Sequence, residues 1–454
     1  MEREVEGWLR QWLDEKGKPL VLRGARQVGK TWAVRRLAEQ TGRDLIELNF
    51  ERTPQHQSLF HQNDAHRTLD LLEIHLGREV VPEKSLLFLD EIQAAPSLLG
   101  KLRWFAEDLP HLPVVAAGSL LEFALRDHSY SMPVGRISFR HVRPMTFPEY
   151  LSAHDQRRLL SLLSLHNVRD AMPTVVHEAA SKWFHRFSMV GGMPAVVNLD
   201  VSHGLARQCR DAQRDLMAGY RADFPKYKGR IEQAALERVL ARVAASVGKK
   251  FTYAEQELAG TTSKRALELL QAAGLCNVVK HSAANGLPLA AEEKDRSRKV
   301  LLLDVGLWHA IIGTPAARIF PDPENLSPEA RSSISEQMLG QQLLAAGEQT
   351  GDGPTLHYWH REGGRPGEID YVLSIQGKVV PIELKSGATG AMKSLHQFMF
   401  DKQLKIAVRV DNNPPSTQTI DLKTAQGNPV KYQLLSVPHY LAWNIGSLVA
   451  KELS

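Results

Sequence analysis

The sequence predicts an α/β protein whose N-terminal part is a doubly wound, mainly parallel sheet. Two observations carry this prediction. Strand-like runs alternate with helical patterns through short connections, which is typical of a sheet with helices on both faces. Residue types that bind ligands follow two of the strands, and in such sheets ligands bind at the carboxyl ends of the strands.

The alternation covers about the first 150 residues. Strands are predicted at residues 20–23, 45–50, 86–89, 114–117 and 137–142. Helices are predicted at about residues 32–40, 65–76, 98–109 and 120–126. Because residues 86–89 form a continuous apolar run, we expect a parallel strand that is covered on both faces.

Length and composition are typical of a globular protein with several domains. A chain of 454 residues is too long for one hydrophobic core, so about two to four domains are expected. No apolar stretch is long enough to span a bilayer, and a cytoplasmic protein without a membrane partner is expected. Cys209 and Cys276 lack metal-ligand spacing and are interpreted as reduced core residues. The formal charge of +5 permits contact with nucleic acid without requiring it.

A phosphate-binding motif follows the first predicted strand. The octapeptide GARQVGKT fits Gly-x-x-x-x-Gly-Lys-Thr, with a strand before it and a helix after it. The two glycines allow a main-chain turn whose N–H groups point at phosphate oxygens. Lys30 is expected to reach the β- and γ-phosphates and Thr31 to ligate Mg²⁺. The predicted nucleotide-binding residues of this phosphate loop are Gly24, Ala25, Arg26, Gln27, Val28, Gly29, Lys30 and Thr31.

An acidic pair follows the apolar run that ends at Leu89. Asp90 is placed to hold Mg²⁺ through its water shell, and Glu91 is placed to orient or deprotonate the attacking water. Taken alone, the pair would equally suit an ordinary acidic turn. Together with the phosphate loop it predicts binding and hydrolysis of ATP or a related nucleotide, with Mg²⁺ as the metal.

The pattern from residue 147 to about residue 229 is helical, and a sharp break occurs at Gly191-Gly192-Met193-Pro194. The next segment suggests a helix-turn-helix followed by a wing. Its predicted parts are helices at residues 236–247, 255–259 and 263–273, a strand at 275–281 and a turn at Asn285-Gly286. The polar span 283–298 is interpreted as a mobile loop.

Four basic residues of this winged-helix-like segment would face a phosphate backbone, namely Lys249, Lys250, Lys264 and Arg265. The excess of positive charge is mild. A lid over the ATPase module or a contact for another protein is therefore an open alternative to DNA or RNA binding.

The C-terminal third contains a second acidic constellation. Asp370 and Glu383 lie on two strands joined by a tight turn, so that their carboxylates would point the same way and hold Mg²⁺. Lys385 shares a strand face with Glu383 and would stabilise a nucleophilic water or the phosphate. Glu336, on a predicted helix at residues 333–346, would add a third carboxylate ligand. The alternative is a surface hairpin with an ion pair between Glu383 and Lys385.

This order of one helix, three strands, a helix and a strand, with Asp…Glu-x-Lys, resembles the restriction-endonuclease-like PD-(D/E)xK family. The resemblance implies a metal-dependent nuclease centre at Asp370, Glu383 and Lys385. One departure stands out, because Ile369 and not proline precedes the aspartate. An inactive relative of the fold, which binds a partner, is the alternative.

Nearly the whole chain resembles a large group of AAA+-type bacterial and archaeal ATPases that join a P-loop module to a C-terminal domain of unknown function. The segments that carry the resemblance are GARQVGKT (24–31), LLFLDEIQ (86–93), AAGSLLE (116–122), PVGRISFRHVRPMTFPEYL (133–151), VGGMPAVV (190–197), LLLDVGLW (301–308) and EIDYVL…PIELK (368–385). The expected domains are an ATPase core with a P-loop NTPase sheet at 1–150, a helical lid at 151–230, a winged-helix-like region at 231–300 and a restriction-endonuclease-like α/β domain at 301–454.

The resemblance implies three further roles. Ser119 matches a polar sensor that contacts the γ-phosphate or the attacking water, with a helix N-cap as the alternative. Arg136 matches an arginine presented to a neighbouring nucleotide, with a solvated arginine as the alternative. Pro194 lies in a turn that matches a lid element near the adenine, with a plain helix break as the alternative.

Three functions remain open at this level. The first is an ATP-driven protein that binds or processes DNA or RNA through a nuclease-like domain. The second is a nucleotide-dependent signalling or scaffold switch, in which that domain has lost its chemistry and binds a protein partner. The third is a DNA-binding regulator with slow turnover. A homo-oligomer is compatible with these functions, and ATP and Mg²⁺ are expected for all three.

Overall fold

The computed structural model describes residues 1–125, 133, 135–204, 207–227, 231–253, 259–314, 326–350, 355–361, 363, 366–385 and 392–453. The chain divides into two compact units. The first unit contains Met1–Met145, Lys226–Gly229 and Ala272–Leu275. The second unit contains Thr146–Pro225, Arg230–Gln271 and Cys276–Ser454.

The first unit is built on a five-stranded parallel sheet, which confirms the predicted fold class. Its strands are β1 (Leu20–Arg23), β2 (Asp44–Asn49), β3 (Ser85–Asp90), β4 (Val114–Ala117) and β5 (Ser138–His141). They are arranged in the order β2-β3-β4-β1-β5, and every neighbouring pair is parallel. Strand β4 therefore separates the strand that precedes the phosphate loop from the strand that ends in Asp90.

Helices cover this sheet and bury its apolar side chains. They are α1 (Glu4–Asp14), α2 (Lys30–Thr41), α3 (Ala65–Leu76), α4 (Leu98–Asp108) and α5 (Leu121–Leu125). Every residue of β3 is buried, as the continuous apolar run predicts. Phe50, Phe60 and Phe105 lie in the core between the sheet and α3 and α4. The last residue of the helix predicted at 120–126 lies outside the described residues.

The helices of the second unit begin directly after the first sheet. They are α6 (Phe147–Ala153), α7 (Arg157–Leu165), α8 (Thr174–Val190), α9 (Pro194–His203), α10 (Arg207–Ala222), α11 (Gln233–Ala245), α12 (Gly260–Ala272), α13 (Val305–Ile312), α14 (Pro328–Thr350), α15 (Lys393–Asp401) and α16 (Ile445–Leu453). The described residues between 151 and 227 are thus mainly helical, as the sequence pattern predicts. The short helix predicted at 255–259 lies almost wholly outside the described residues.

An eight-stranded mixed sheet forms the core of the second unit. Its strands are β6 (Cys276–Ser282), β7 (Glu293–Leu302), β8 (Leu356–His360), β9 (Glu368–Ile375), β10 (Lys378–Leu384), β11 (Ile406–Asp411), β12 (Ser416–Lys423) and β13 (Pro429–Pro438). Their order is β12-β13-β11-β10-β9-β8-β6-β7. The predicted order of helix, three strands, helix and strand occurs as α14, β8, β9, β10, α15 and β11.

Two expectations from the sequence disagree with the strands observed in this sheet. Residues 293–298, interpreted from the sequence as part of a mobile loop, belong to strand β7. Strand β7 lies at the edge of the sheet, where charged residues are common in strands. Because of these charged residues, the segment was interpreted as a loop from the sequence. The boundary expected at residue 300 lies inside β7, and the hairpin β6–β7 joins the same sheet as β8 to β13.

Among the described residues, no helix combines the length and the apolar character needed to cross a membrane. Cys209 and Cys276 are both buried. Their burial agrees with their interpretation as core residues.

Candidate functional site

The phosphate loop adopts a backbone that only its glycines make possible. Gly24 has φ +131° and Gly29 has φ +99°, both in the left-handed half of φ space. A Cβ atom at position 24 would lie 2.2 Å from the carbonyl oxygen of Val142. Ala25 and Val28 are buried and anchor the loop, so that its main chain forms the compact turn expected for phosphate binding.

Lys30 folds back over this loop from the first position of α2. Its Nζ donates hydrogen bonds of 2.8 Å to the carbonyl oxygens of Gly24 and Ala25. Burial lowers the pKa of Lys30 to about 8, although Glu91 and Asp90 oppose the shift. A buried ammonium group whose described acceptors are neutral carbonyls is suited to an anionic phosphate.

Thr31 and Asp90 meet beside the loop. The Thr31 hydroxyl donates to Asp90 Oδ1 at 3.2 Å, and the amide of Asn49 donates to Asp90 Oδ2 at 3.0 Å. Burial, and then the neighbouring Glu91, raise the pKa of Asp90. A hydroxyl and a carboxylate in contact are hard oxygen ligands, so these residues fit Mg²⁺.

Glu91 and Ser119, assigned to the reaction from the sequence, lie next to each other. Glu91 Oε2 accepts hydrogen bonds from the Ser119 hydroxyl at 3.3 Å and from Gln93 Nε2 at 2.6 Å. Glu91, the residue directly after β3, has φ +52°, an uncommon conformation for a residue other than glycine. Arg26 Nε donates to Ser119 Oγ at 3.2 Å, which links the phosphate loop to the same group.

Sequence reasoning missed Asn49 and Gln93, the two amides that hold the acidic pair. Asn49 is the last residue of β2, the neighbour of β3, and its position becomes informative only when the strand order is known. Gln93 is packed so closely that a Cβ atom on Gly118 would lie 2.3 Å from its Oε1. Its spacing of two residues after Glu91 was the available sequence signal.

The two remaining nucleotide-related residues lie elsewhere. Arg136 is half-exposed and pairs with Glu107 in the first unit, with Nη2 and Oε1 3.1 Å apart. Pro194 is the first residue of α9 in the second unit, and Met193 separates it from the turn at Gly191 and Gly192. The main-chain N–H of Gly192 donates to Asp304 Oδ2 at 2.6 Å, so this turn is fixed by the carboxylate of Asp304.

The C-terminal constellation contains a cation that the sequence did not reveal. Lys299 of β7 is 1% exposed, and its Nζ lies 2.7 Å from Glu336 Oε1, 2.5 Å from Glu368 Oε1 and 3.3 Å from Asp370 Oδ1. Burial alone would lower the pKa of Lys299, but Glu336, Asp370 and Glu368 raise it well above its usual value. We call Glu336, Glu368 and Asp370 around this ammonium group the carboxylate cluster.

Glu383 and Asp370 are neighbours on paired strands, one step beyond the pair Ile382 and Tyr371. The Nζ of Lys385 lies 2.6 Å from Glu383 Oε1, and Asp370 Oδ2 accepts the main-chain N–H of Leu384 at 2.8 Å. Burial, and then Asp370, raise the pKa of Glu383 to about 7.

The metal site expected at Glu336, Asp370 and Glu383 is not formed as a cation cage. In the part of the chain that the structure describes, no group of three or more His, Cys, Asp or Glu side chains is arranged to hold a metal ion. Two of the three expected ligands contact the Lys299 ammonium group instead. The residues present therefore do not fit a divalent cation in this arrangement.

Comparisons with known proteins identify the N-terminal part. Residues 16–151 match a family model described as an AAA domain. Residues 181–318 and 331–421 match two models, each described as a domain of unknown function (DUF8612 and DUF4143). The chain thus carries an AAA-type P-loop ATPase domain at its N-terminus. Lys299 lies in the first segment of unknown function, and all three acids of the carboxylate cluster lie in the second.

Similar solved structures include a Walker-type ATPase of Pyrococcus abyssi, with 16% identity and a TM-score of 0.42 over 68% of this chain and 95% of that chain. They also include the ORC1 protein of Aeropyrum pernix in complex with DNA, with 14% identity and a TM-score of 0.25 over 70% of this chain and 94% of that chain. No curated protein matches the chain.

Proposed function

We propose that this protein binds and hydrolyses ATP at the phosphate loop and couples its nucleotide state to the binding of DNA or RNA by its C-terminal half. The observation that carries the ATPase part is the contact between Glu91 and Ser119, next to the pair formed by Asp90 and Thr31. These groups come from the ends of β3 and β4 and from the start of α2, where nucleotides bind in parallel sheets.

Each group has a role that follows from its chemistry. The main-chain N–H groups of the phosphate loop and the Lys30 ammonium group bind phosphate oxygens. Thr31 and Asp90 would hold Mg²⁺, which supplies positive charge against the phosphates. Glu91 takes a proton from the attacking water, or orients it, while the Ser119 hydroxyl holds the Glu91 carboxylate in place.

Two substitutions separate binding from hydrolysis. Lys30→Ala should abolish ATP binding, because it removes the cation that faces the phosphates. Glu91→Gln should leave binding intact and slow hydrolysis by about 10²- to 10⁴-fold, the usual contribution of a positioned base. Calorimetric titration with ATP and a phosphate-release assay measure the two effects, and Lys84→Ala, an exposed lysine of the same unit, is the matched control. Unchanged binding by Lys30→Ala would remove the proposal.

The coupling to nucleic acid is supported by the exposed basic residues after α11 and at the start of α12. Lys249, Lys250, Lys264 and Arg265 are all exposed. The hairpin β6–β7 follows α12, as a wing would. An exposed set of like charges on a helix and its preceding loop is suited to a phosphate backbone.

Binding of a labelled DNA or RNA duplex should weaken steeply with salt, with a slope of roughly 0.9 per neutralised phosphate. A triple alanine variant should lower that slope by about two to three, if each lysine neutralises one phosphate. The three lysines to replace are Lys249, Lys250 and Lys264. The control is a triple alanine variant at three exposed lysines, namely Lys378 of β10, Lys405 just before β11 and Lys423 of β12. Equal slopes for the two variants would assign the basic residues another role.

A second candidate function is a nucleotide-dependent switch whose C-terminal domain binds a partner without cutting nucleic acid. The position of the Lys299 ammonium group in the carboxylate cluster favours it, because a nuclease of this kind requires a divalent metal there. Under this candidate, nucleic acid recovered from the binding assay with Mg²⁺ is intact on a gel. Cleavage that is lost in Asp370→Asn would favour the nuclease function instead.

A further inference from the structure

Three elements of the second unit supply charged groups to one buried point. Lys299 comes from β7, Glu336 from α14, and Glu368 and Asp370 from β9. All three carboxylates lie within 3.3 Å of the same ammonium nitrogen. The ring of Tyr358 covers this ammonium group, with Nζ 5.4 Å from the ring centroid. Four independent contacts to one buried cation describe a built site.

The neighbouring charges do not compete for these carboxylates. Lys385, the lysine that the sequence pattern assigns to the centre, contacts Glu383. The second oxygen of Glu383, Oε2, is buried and has no hydrogen-bond partner among the described residues. Lys299 is the cation that contacts Glu336, Glu368 and Asp370.

A divalent metal and this ammonium group exclude each other. A metal bound to these carboxylates would lie about 2.0–2.6 Å from their oxygens. The Lys299 nitrogen already lies 2.7 Å from Glu336 and 3.3 Å from Asp370. Two cations so close together would repel each other strongly, because the Lys299 ammonium group is itself buried. Metal entry therefore requires the lysine to leave.

We propose that Lys299 is the resident cation of the carboxylate cluster and that it keeps divalent metal ions out of this site. The ammonium group joins β7 to α14 and β9 and occupies the place that a catalytic metal would take. The inference concerns the second unit alone, and it does not depend on the ATPase proposal. Its consequence is a carboxylate site that is structural while Lys299 is present and becomes a metal site when Lys299 is removed.

Binding of Mn²⁺ to nucleotide-free protein, followed by the electron paramagnetic resonance signal of free Mn²⁺, tests the inference. Wild type and Asp370→Asn should bind the same number of ions, since the cluster takes none. Lys299→Met should bind one additional ion, and Lys299→Met with Asp370→Asn should lose it. Lys378→Met removes an exposed lysine and should behave as wild type.

Two results would overturn the inference. One is fewer Mn²⁺ ions bound by Asp370→Asn than by wild type, because metal would then enter with Lys299 in place. The other is a folded Lys299→Met variant that gains no ion.

Lys299→Met leaves three carboxylates without their cation, and breaking such a buried pair is strongly destabilising. Lys299→Met with Glu336→Gln removes one of these negative charges and should unfold at a higher temperature than Lys299→Met alone. Equal or lower thermal stability of this double variant would contradict the ion pairing. The comparison of wild type with Asp370→Asn decides on metal exclusion even if neither lysine variant folds.

Discussion

At the scale of single residues, Lys30 shows how burial tunes a binding group. Its ammonium group is enclosed by the loop that it serves, and burial lowers its pKa to about 8 in the nucleotide-free protein. Phosphate oxygens stabilise the charged form and would raise that pKa again. ATP binding above pH 8 is therefore accompanied by the uptake of a proton.

This linkage predicts that ATP affinity falls as the pH rises above about 8. The free protein is then deprotonated at Lys30, and the affinity should fall by up to tenfold per pH unit until the pKa of the bound state is reached. Titration with a fluorescent ATP analogue between pH 7 and 9.5 measures the effect. Lys30→Arg keeps its charge over this range and should show weaker binding without the fall. Constant affinity of wild type across the range would contradict the prediction.

In the nucleotide site, residues could be predicted where a sequence motif follows the end of a predicted strand. The phosphate loop, Asp90 and Glu91 were predicted in this way and Ser119 from the family resemblance, and the structure brings Glu91 and Ser119 into contact. Asn49 and Gln93 were not found, because each acts through a contact between segments. Such contacts depend on the order of the strands, which the sequence does not state.

At the scale of elements, buried parallel strands could be predicted from the sequence, whereas an edge strand could not. Strand β3 is buried throughout and has a continuous apolar run at residues 86–89, and its predicted and observed bounds agree closely. Strand β7 begins with charged residues that alternate without an apolar face, and it resembled a loop. Lys299 was overlooked for this reason, although Asp370 and Glu383, its neighbours in the second unit, were identified.

Two sequence segments that were noted separately form one structural unit. Asp304 caps α13 by accepting the main-chain N–H of Gly306 at 2.8 Å, and it also accepts the N–H of Gly192. A Cβ atom on Gly191 would lie 2.1 Å from Asp304 Oδ1, so glycine is required at this close approach. Burial raises the pKa of Asp304 to about 6. The turn before Pro194 and the start of α13 are thus held by one carboxylate.

At the scale of the whole molecule, the chain joins an ATPase unit to a unit with its own sheet of eight strands. The winged-helix-like segment and the C-terminal α/β segment share that sheet through β6 and β8. The carboxylate cluster also draws its cation and its anions from these two segments. A change at β6 is therefore expected to reach β8 and β9 through continuous main-chain pairing.

Arg136 of the ATPase unit is a candidate group for action on another molecule. It is 53% exposed and pairs with Glu107 at the surface, a kind of contact that contributes about 1 kcal/mol or less. If Arg136 completes the site of a neighbouring chain, turnover per chain should rise with protein concentration. Arg136→Ala should then lower kcat by on the order of 10³-fold, the usual contribution of such an arginine.

Arg103 provides the matched control for this prediction. It also contacts Glu107 Oε1, at 3.0 Å, and it is 50% exposed. Arg103→Ala therefore removes an equivalent surface pair and should leave kcat and its concentration dependence unchanged. Phosphate release measured over a hundredfold range of protein concentration, with sedimentation at the same concentrations, distinguishes the two arginines. Two results would contradict a role of Arg136 between chains: a wild-type turnover that is constant over this range, or equal losses of kcat in both variants. An arginine that acts between chains makes turnover depend on association of the chains, whereas an arginine that only forms a surface pair does not.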